Sequence, residues 1–161
     1  MRIGVVSDTH NQLANVGQIV ALFNGAGVQR VVHTGDITQA KTLDAFAGLD
    51  APLVAVYGNN DQEREALEAA ARQNHMELAE PPLELAWAGR RILVVHDPLD
   101  LDRHLAAHHD VALHGHSHEL VREWRGACLV FNPGECAGHL RGYNAIGILD
   151  LERLETQLLR F

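Results

Sequence analysis

Histidine, aspartate and asparagine gather at the ends of apolar runs in this chain. Val6 leads into Ser7-Asp8-Thr9-His10, Val32 into His33-Thr34-Gly35-Asp36, and Val56-Tyr57 into Gly58-Asn59-Asn60-Asp61. Val95 leads into His96-Asp97, and Leu113 into His114-Gly115-His116-Ser117-His118. Taken singly, each piece has a plain structural use: Asp8 or Asp36 as a helix cap, Asn59 and Asn60 as turn formers after Gly58. Five such ends together make a ligand set instead. Imidazole with carboxylate and carboxamide suits Mn, Fe, Zn, Co or Ni rather than calcium or copper(I). Asp8 and His10 are two apart, as are His116 and His118, which lets both side chains leave one side of an extended backbone. Gly35, Gly58 and Gly115 permit tight turns and close backbone approach.

The elements that must position these residues follow from apolar periodicity. Ile3 to Val6, Val31 to Val32, Leu53 to Tyr57, Ile92 to Val95, Val111 to Leu113 and Ala127 to Phe131 are short, apolar and rich in β-branched residues, as buried strands are. Helix-period segments at Leu13 to Phe23, Ala40 to Leu49 and Gln62 to Gln73 separate the first strands, which predicts a parallel α/β sheet. After Pro81-Pro82, Leu83 to Trp87 and Ile92 to Val95 read as a hairpin turning at Ala88-Gly89-Arg90 into a second sheet. Ala145 to Leu151 is a last strand, followed by a short tail of alternating polar and apolar residues. The expected fold is a four-layer α/β/β/α sandwich, two facing mixed sheets flanked by helices, in one domain over 1–161. In an open α/β sheet the strand ends face one crevice, so the five polar ends converge.

Their order and spacing resemble the calcineurin-like metallophosphoesterases: Asp8-Thr9-His10, Gly35-Asp36, Gly58-Asn59-Asn60, lone His96, and Gly115-His116-Ser117-His118. Asn132-Pro133-Gly134 matches the turn that small, stand-alone bacterial and archaeal phosphodiesterases of that family carry. The resemblance implies one divalent ion on Asp8, His10 and His118, a second on Asn59, His96 and His116, and Asp36 bridging the two. It implies manganese first, with nickel, zinc, iron or magnesium as substitutes. It further implies in-line attack on a small phosphodiester by a hydroxide between the ions, with Asp36, Asn59, Asn60 and His96 as the catalytic residues. The alternatives from the same fold are a phosphomonoesterase and a weakly catalytic or non-catalytic scaffold that binds metal and other proteins, like the small subunit of the retromer coat.

Two positions depart from the pattern. Many members have His where this chain has Asn60, and an amide donates a hydrogen bond but cannot deliver a proton to a leaving group. Many have Gly after the lone His, where Asp97 stands either to orient a ligand or to crowd the entrance. His33 and His114 are expected to be packed or supporting histidines, and His104, His108 and His109 solvated. His75 and His139 have no assigned role, although His139 follows the Asn132-Pro133-Gly134 turn and is placed to rim the pocket. Cys136 is read as a small buried residue and Trp87 and Trp124 as core or edge packing.

Composition narrows the partners. The chain has 161 residues, 13 Lys and Arg against 21 Asp and Glu, and a net charge of -8. It therefore lacks the basic field that holds long nucleic acids, while short or cyclic nucleotides are untouched by that argument. No apolar run nears the roughly 20 residues of a membrane span. Two cysteines make no disulfide framework, which fits a cytoplasmic setting. The C-terminal strand and Trp87 offer an edge or patch for a homo-oligomer.

Overall fold

The computed structural model describes residues 1–139 and 142–161. Three parallel strands, β1 (Arg2–Val6), β2 (Arg30–His33) and β3 (Leu53–Val56), form the centre of the first sheet, joined by α1 (Leu13–Ala26) and α2 (Ala40–Phe46). α3 (Arg64–Gln73) leads on to β4 (Glu77–Ala79), a short parallel edge strand without a clear sequence signal. The hairpin is formed by β5 (Leu83–Trp87) and β6 (Arg90–Val94). Ala88 and Gly89 turn it with φ of 51 and 74, the double positive φ that a two-residue hairpin loop of matching twist requires. A helical turn at Pro98–Asp100 and the short α4 (Leu101–His104) lead to β7 (Val111–Leu113), β8 (Val121–Arg125) and β9 (Cys128–Asn132). The chain returns to the first sheet with β10 (Ala145–Asp150) and β11 (Glu155–Arg160).

The sheets run β11-β10-β1-β2-β3-β4 and β5-β6-β7-β9-β8, both mixed. Between them Ile3, Val5, Val32 and Val56 meet Ile92, Val94, Val111, Leu113, Leu129 and Phe131 in a buried layer. The outer face of the first sheet packs on α1, α2 and α3 through Val16, Ile19, Phe23, Leu43, Phe46 and Leu67. Over the second sheet the outer layer is thin, chiefly Leu101 of α4 against Leu93, Ala112 and Val130. The expected four layers are therefore present, unequal in depth.

Three local expectations change. The tail after Leu151 is strand β11, because its alternation lets Leu158 reach the inter-sheet layer and Leu159 the helix-covered face. The edge of that sheet is thus β11, and the Ala145 strand is paired on both sides. Trp87 is partly buried, with the Arg30 guanidinium 5.0 Å over its ring, and Trp124 lies on the edge strand β8, 57% exposed. His109 is 3% exposed rather than solvated: Ala106 N–H donates to its Nδ1 at 3.0 Å, and Nε2 lies 3.3 Å from Glu84. His104 and His108 are exposed, as expected.

Candidate active site

All of the singled-out polar residues follow parallel strands, so the sandwich gathers them at one end. Backbone hydrogen bonds stitch the loops together: Asp8 N–H donates to Gly35 O at 3.0 Å, His10 N–H to Asp36 O at 3.1 Å, and Gly115 N–H to His96 O at 3.0 Å. The loops do not use the extended geometry that the two-residue spacing suggests. Asp8, His10, Asp36, His116 and His118 all lie at positive φ, between 40 and 68, and Asn11 (61) and Thr38 (78) are positive too. Non-glycine residues seldom adopt that conformation, and where they do the surrounding structure holds them in it.

Two glycines let the loops close. A Cβ on Gly115 would lie 1.8 Å from Ser7 Oγ, and one on Gly58 would lie 2.2 Å from Asp36 Oδ1. Asp61, missed by motif reasoning, organises one side. Its buried carboxylate accepts from the backbone N–H groups of Asp36 (3.0 Å), Gly58 (2.7 Å) and Thr38. Asn132 organises the other, donating to Gly115 O and Ser117 Oγ and accepting from Gly134 N–H.

The side chains then converge. Asp36, 2% exposed, stands between two imidazoles, with His10 Nε2 3.3 Å from Oδ2 and His96 Nε2 3.4 Å from Oδ1. Asn60 contacts the same carboxylate twice, N–H to Oδ1 at 2.9 Å and Nδ2 to Oδ2 at 2.7 Å. Asp8 Oδ2 accepts from His116 N–H and from Ser7, while its Oδ1 lies 3.6 Å from His118 Nε2 and 3.9 Å from His10 Nε2. Asn59 Oδ1 is 2.9 Å from both His96 Nε2 and His116 Nδ1. The Asp97 carboxylate caps the helical turn by accepting from Leu99 N–H at 2.8 Å, and the residue lies on the wall of the cavity beside Asn59, His96 and His116.

This donor set fits divalent cations. Among the described residues, Asp8 Oδ1 and His10 Nε2 are buried with no hydrogen-bond partner. His96 donates its Nδ1–H to Thr34 O at 2.9 Å, which leaves the Nε2 lone pair facing the Asn59 carbonyl oxygen. Two acceptors in contact repel unless a cation lies against both. Asp8, His10 and His118, and separately Asp8, Asp36 and His96, hold their ligand atoms within 4.8 Å of one another.

A further residue outside the motifs is Glu135. It is 4% exposed, pairs with His118 Nδ1, and accepts from His139 N–H at 2.6 Å. That leaves His118 Nε2 aimed at Asp8. The signal in the sequence was the residue after Asn132-Pro133-Gly134, a turn with no ligand of its own. The His139 ring stacks on His118 at 5.1 Å between centroids, so it does rim the site.

The supporting histidines are neutral. His33 is fully buried, accepts from Gly35 N–H at 3.1 Å and lies 3.0 Å from Thr9 Oγ1; burial pushes its pKa down to about 3. Burial also lowers His114 and raises the Cys136 thiol to about 12, which makes Cys136 a poor nucleophile. Because His33 titrates lower in the folded than in the unfolded state, the unfolded chain binds the extra proton. Stability must therefore fall on acidification from pH 6.5 toward 3, by up to about 1.4 kcal/mol per pH unit from this residue. Urea melts at pH 7, 6 and 5 should show a shallower acid loss in His33→Gln, and identical pH slopes in both proteins would refute it.

Comparison with known proteins agrees with this geometry. Residues 1–154 match the calcineurin-like phosphoesterase superfamily domain. A phosphodiesterase of Methanocaldococcus jannaschii is 35% identical over 159 residues, covering 96% of both chains. The phosphodiesterase YfcE of Escherichia coli is 27% identical over 172 residues, 97% of this chain and 91% of its own. A solved archaeal phosphodiesterase superposes with a TM-score of 0.91 at 34% identity over 100% of both chains. Vps29 of Entamoeba histolytica, solved with zinc, reaches 0.69 at 19% identity over 100% of this chain and 98% of that one, a likeness of fold alone. With the ordered motifs gathered at one end of a two-sheet sandwich and a family match over almost its whole length, this chain belongs to the calcineurin-like phosphoesterase superfamily.

Proposed function

We propose that the protein is a phosphodiesterase that uses two divalent ions to hydrolyse small phosphodiesters, within a single domain. The observation that carries this is Asp36, whose two carboxylate oxygens face His10 on one side and His96 on the other. On this reading Asp8, His10 and His118 would hold one ion and Asn59, His96 and His116 the other, with Asp36 as the ligand they would share. When bound, the ions would offset the charge of the phosphate and acidify a water for attack on phosphorus. Manganese is the first choice, with nickel, zinc, iron or magnesium able to compete for such ligands.

The chain's own groups do the rest. Asp8 and Asp36 supply the anionic charge that retains the cations, while neutral imidazoles leave the site net positive toward a diester. Asn60 donates its backbone N–H and Nδ2–H to the Asp36 carboxylate, which holds that carboxylate between the two imidazoles. Asn59 and Asn60 are exposed, so the cleft is open and suits small diesters better than it encloses any one of them. The described residues include no helix long and apolar enough to cross a membrane. Two free, buried cysteines support a cytoplasmic setting, and the exposed sheet edges are where a second copy of the chain would pair.

The test is to strip metal and assay an aryl phosphodiester and the matching monoester with manganese, nickel, zinc or magnesium restored. Metal-dependent turnover with the diester faster is expected. Two bound ions with no turnover would favour the scaffold reading, and a faster monoester would favour a phosphomonoesterase.

Glu135 gives an independent check, since a carboxylate on the far nitrogen of a ligand histidine fixes its orientation and basicity. Glu135→Gln should weaken binding of one of the two ions by about tenfold in calorimetric titration while the other is little changed. Unaltered affinities for both would remove Glu135 from the site.

A further inference from the structure

Two cavities adjoin the candidate ligand cluster, and they share no lining residue. One, of about 210 Å³, opens beside Asn59, His96 and His116 and carries the charged side chains of Arg64, Glu80, Asp97 and Asp100 on its wall. Its Tyr57 ring is closely covered, because the Arg64 guanidinium lies 3.7 Å over it and pairs with Glu80, whereas the Arg160 guanidinium stands 5.9 Å from the Tyr143 ring of the second cavity. The other, of about 300 Å³, opens beside His118 and Glu135 and is walled by Leu120, Pro133 and Tyr143, with Arg160 also on its lining.

The second cavity leaves apolar surface in water next to a polar centre. Leu120 is 48% exposed and Tyr143 60% exposed. Leu120 is also held in place. It follows His118 by two residues, and Gly134, at φ 106, lets the Asn132-Pro133-Gly134 turn lie against its backbone, where a Cβ would come within 3.3 Å of Leu120 N. The Leu120 and Pro133 part of the wall is therefore joined to the His118 loop.

A phosphodiester has two ester arms, a monoester one, and this centre is flanked by two recesses of unlike chemistry. We infer that the cleft walled by Leu120, Pro133 and Tyr143 seats an apolar or aromatic ester arm, and the cavity at Tyr57 and Arg64 a small polar one. The preferred substrate class is thus an unsymmetrical phosphodiester. This rests on the phosphodiesterase reading above. Hydrolysis adds water across one P–O ester bond and yields a monoester and an alcohol, so the inference needs no further reactant.

The experiment uses dimethyl, methyl phenyl and diphenyl phosphate as competitors of aryl diester hydrolysis, and calorimetry of the same compounds on the metal-loaded protein. Methyl phenyl phosphate should bind about tenfold tighter than dimethyl phosphate, the scale of one apolar contact in a pocket. Diphenyl phosphate should add less than about threefold more, because one recess alone is apolar. Leu120→Ser and Tyr143→Ala should each reduce the phenyl-to-methyl ratio, Leu120→Phe should keep or raise it, and Trp124→Ala, on a different surface, should leave the ratio as it was. A wild-type ratio near one, a diphenyl ester as far above the methyl phenyl ester as that is above dimethyl, or a ratio insensitive to Leu120 and Tyr143 would overturn the inference. Should no diester be bound or cleaved with any metal, the phosphodiesterase reading itself has failed and this inference falls with it.

Discussion

Asp36→Asn is expected to lower metal-dependent diester hydrolysis by about 10³-fold or more, equivalent to roughly 4 kcal/mol of transition-state stabilisation. The carboxylate is almost fully buried, and each of its oxygens faces a different imidazole. The substitution keeps the shape of the side chain but replaces one anionic oxygen by an N–H donor and removes the charge shared between the two proposed ions. Its backbone should stay in place, because Asp61 grips the Asp36 N–H whatever the side chain. The fold is thus expected to survive, with a melting temperature of the metal-free variant close to that of the metal-free parent. Calorimetric counting of bound manganese should find fewer than two ions. Retention of more than a tenth of the parent rate with both ions bound would rule out Asp36 as the shared ligand.

The second large effect concerns the leaving group. Asn60 stands where many relatives in the family pattern have histidine, and it binds Asp36 through both its backbone N–H and its side-chain amide. It can stabilise charge by donating hydrogen bonds but has no proton to give. Rates should therefore depend steeply on leaving-group acidity, with nitrophenyl diesters cleaved far faster than alkyl ones. General acid catalysis contributes about 10² to 10⁴-fold where it operates, so Asn60→His should raise the rate on alkyl diesters by about 100-fold and change nitrophenyl diesters little. The readout is the slope of log rate against leaving-group pKa, which should flatten in the variant. An unchanged slope, with metal binding intact, would mean that the proton comes from elsewhere.

Both experiments rest on residues that residue type and spacing single out. Asp8, His10, Asp36, Asn59, Asn60, His96, His116 and His118 each lie within five residues of the end of an apolar run, and a parallel sheet brings such ends together by topology alone. The two sheets, the three helices and the hairpin were legible for the same reason: period and punctuation are local properties of a chain. The strands least visible were those at the edges. β4 is three residues long, and β11 is a short alternating tail that its pairing with β10 marks as a strand.

How those residues are held is a matter of the folded chain. No local pattern announces that Asp8, His10, Asp36, His116 and His118 adopt positive φ, because that conformation is unfavourable for each residue alone and persists through contacts made elsewhere in the sequence. Asp61 binding the Asp36 loop, Glu135 turning His118 toward Asp8, and His109 buried against Glu84 are pairings across 17 to 25 residues. Which partner a buried polar group finds depends on the packing of whole layers. Residue types and their order along the chain are enough to point to a metal-ligand set and to the succession of strands that brings its residues to one end of the sandwich. The orientation of each ligand, the cavities beside them and the strain in the loops are non-local, so they arise only when the layers pack.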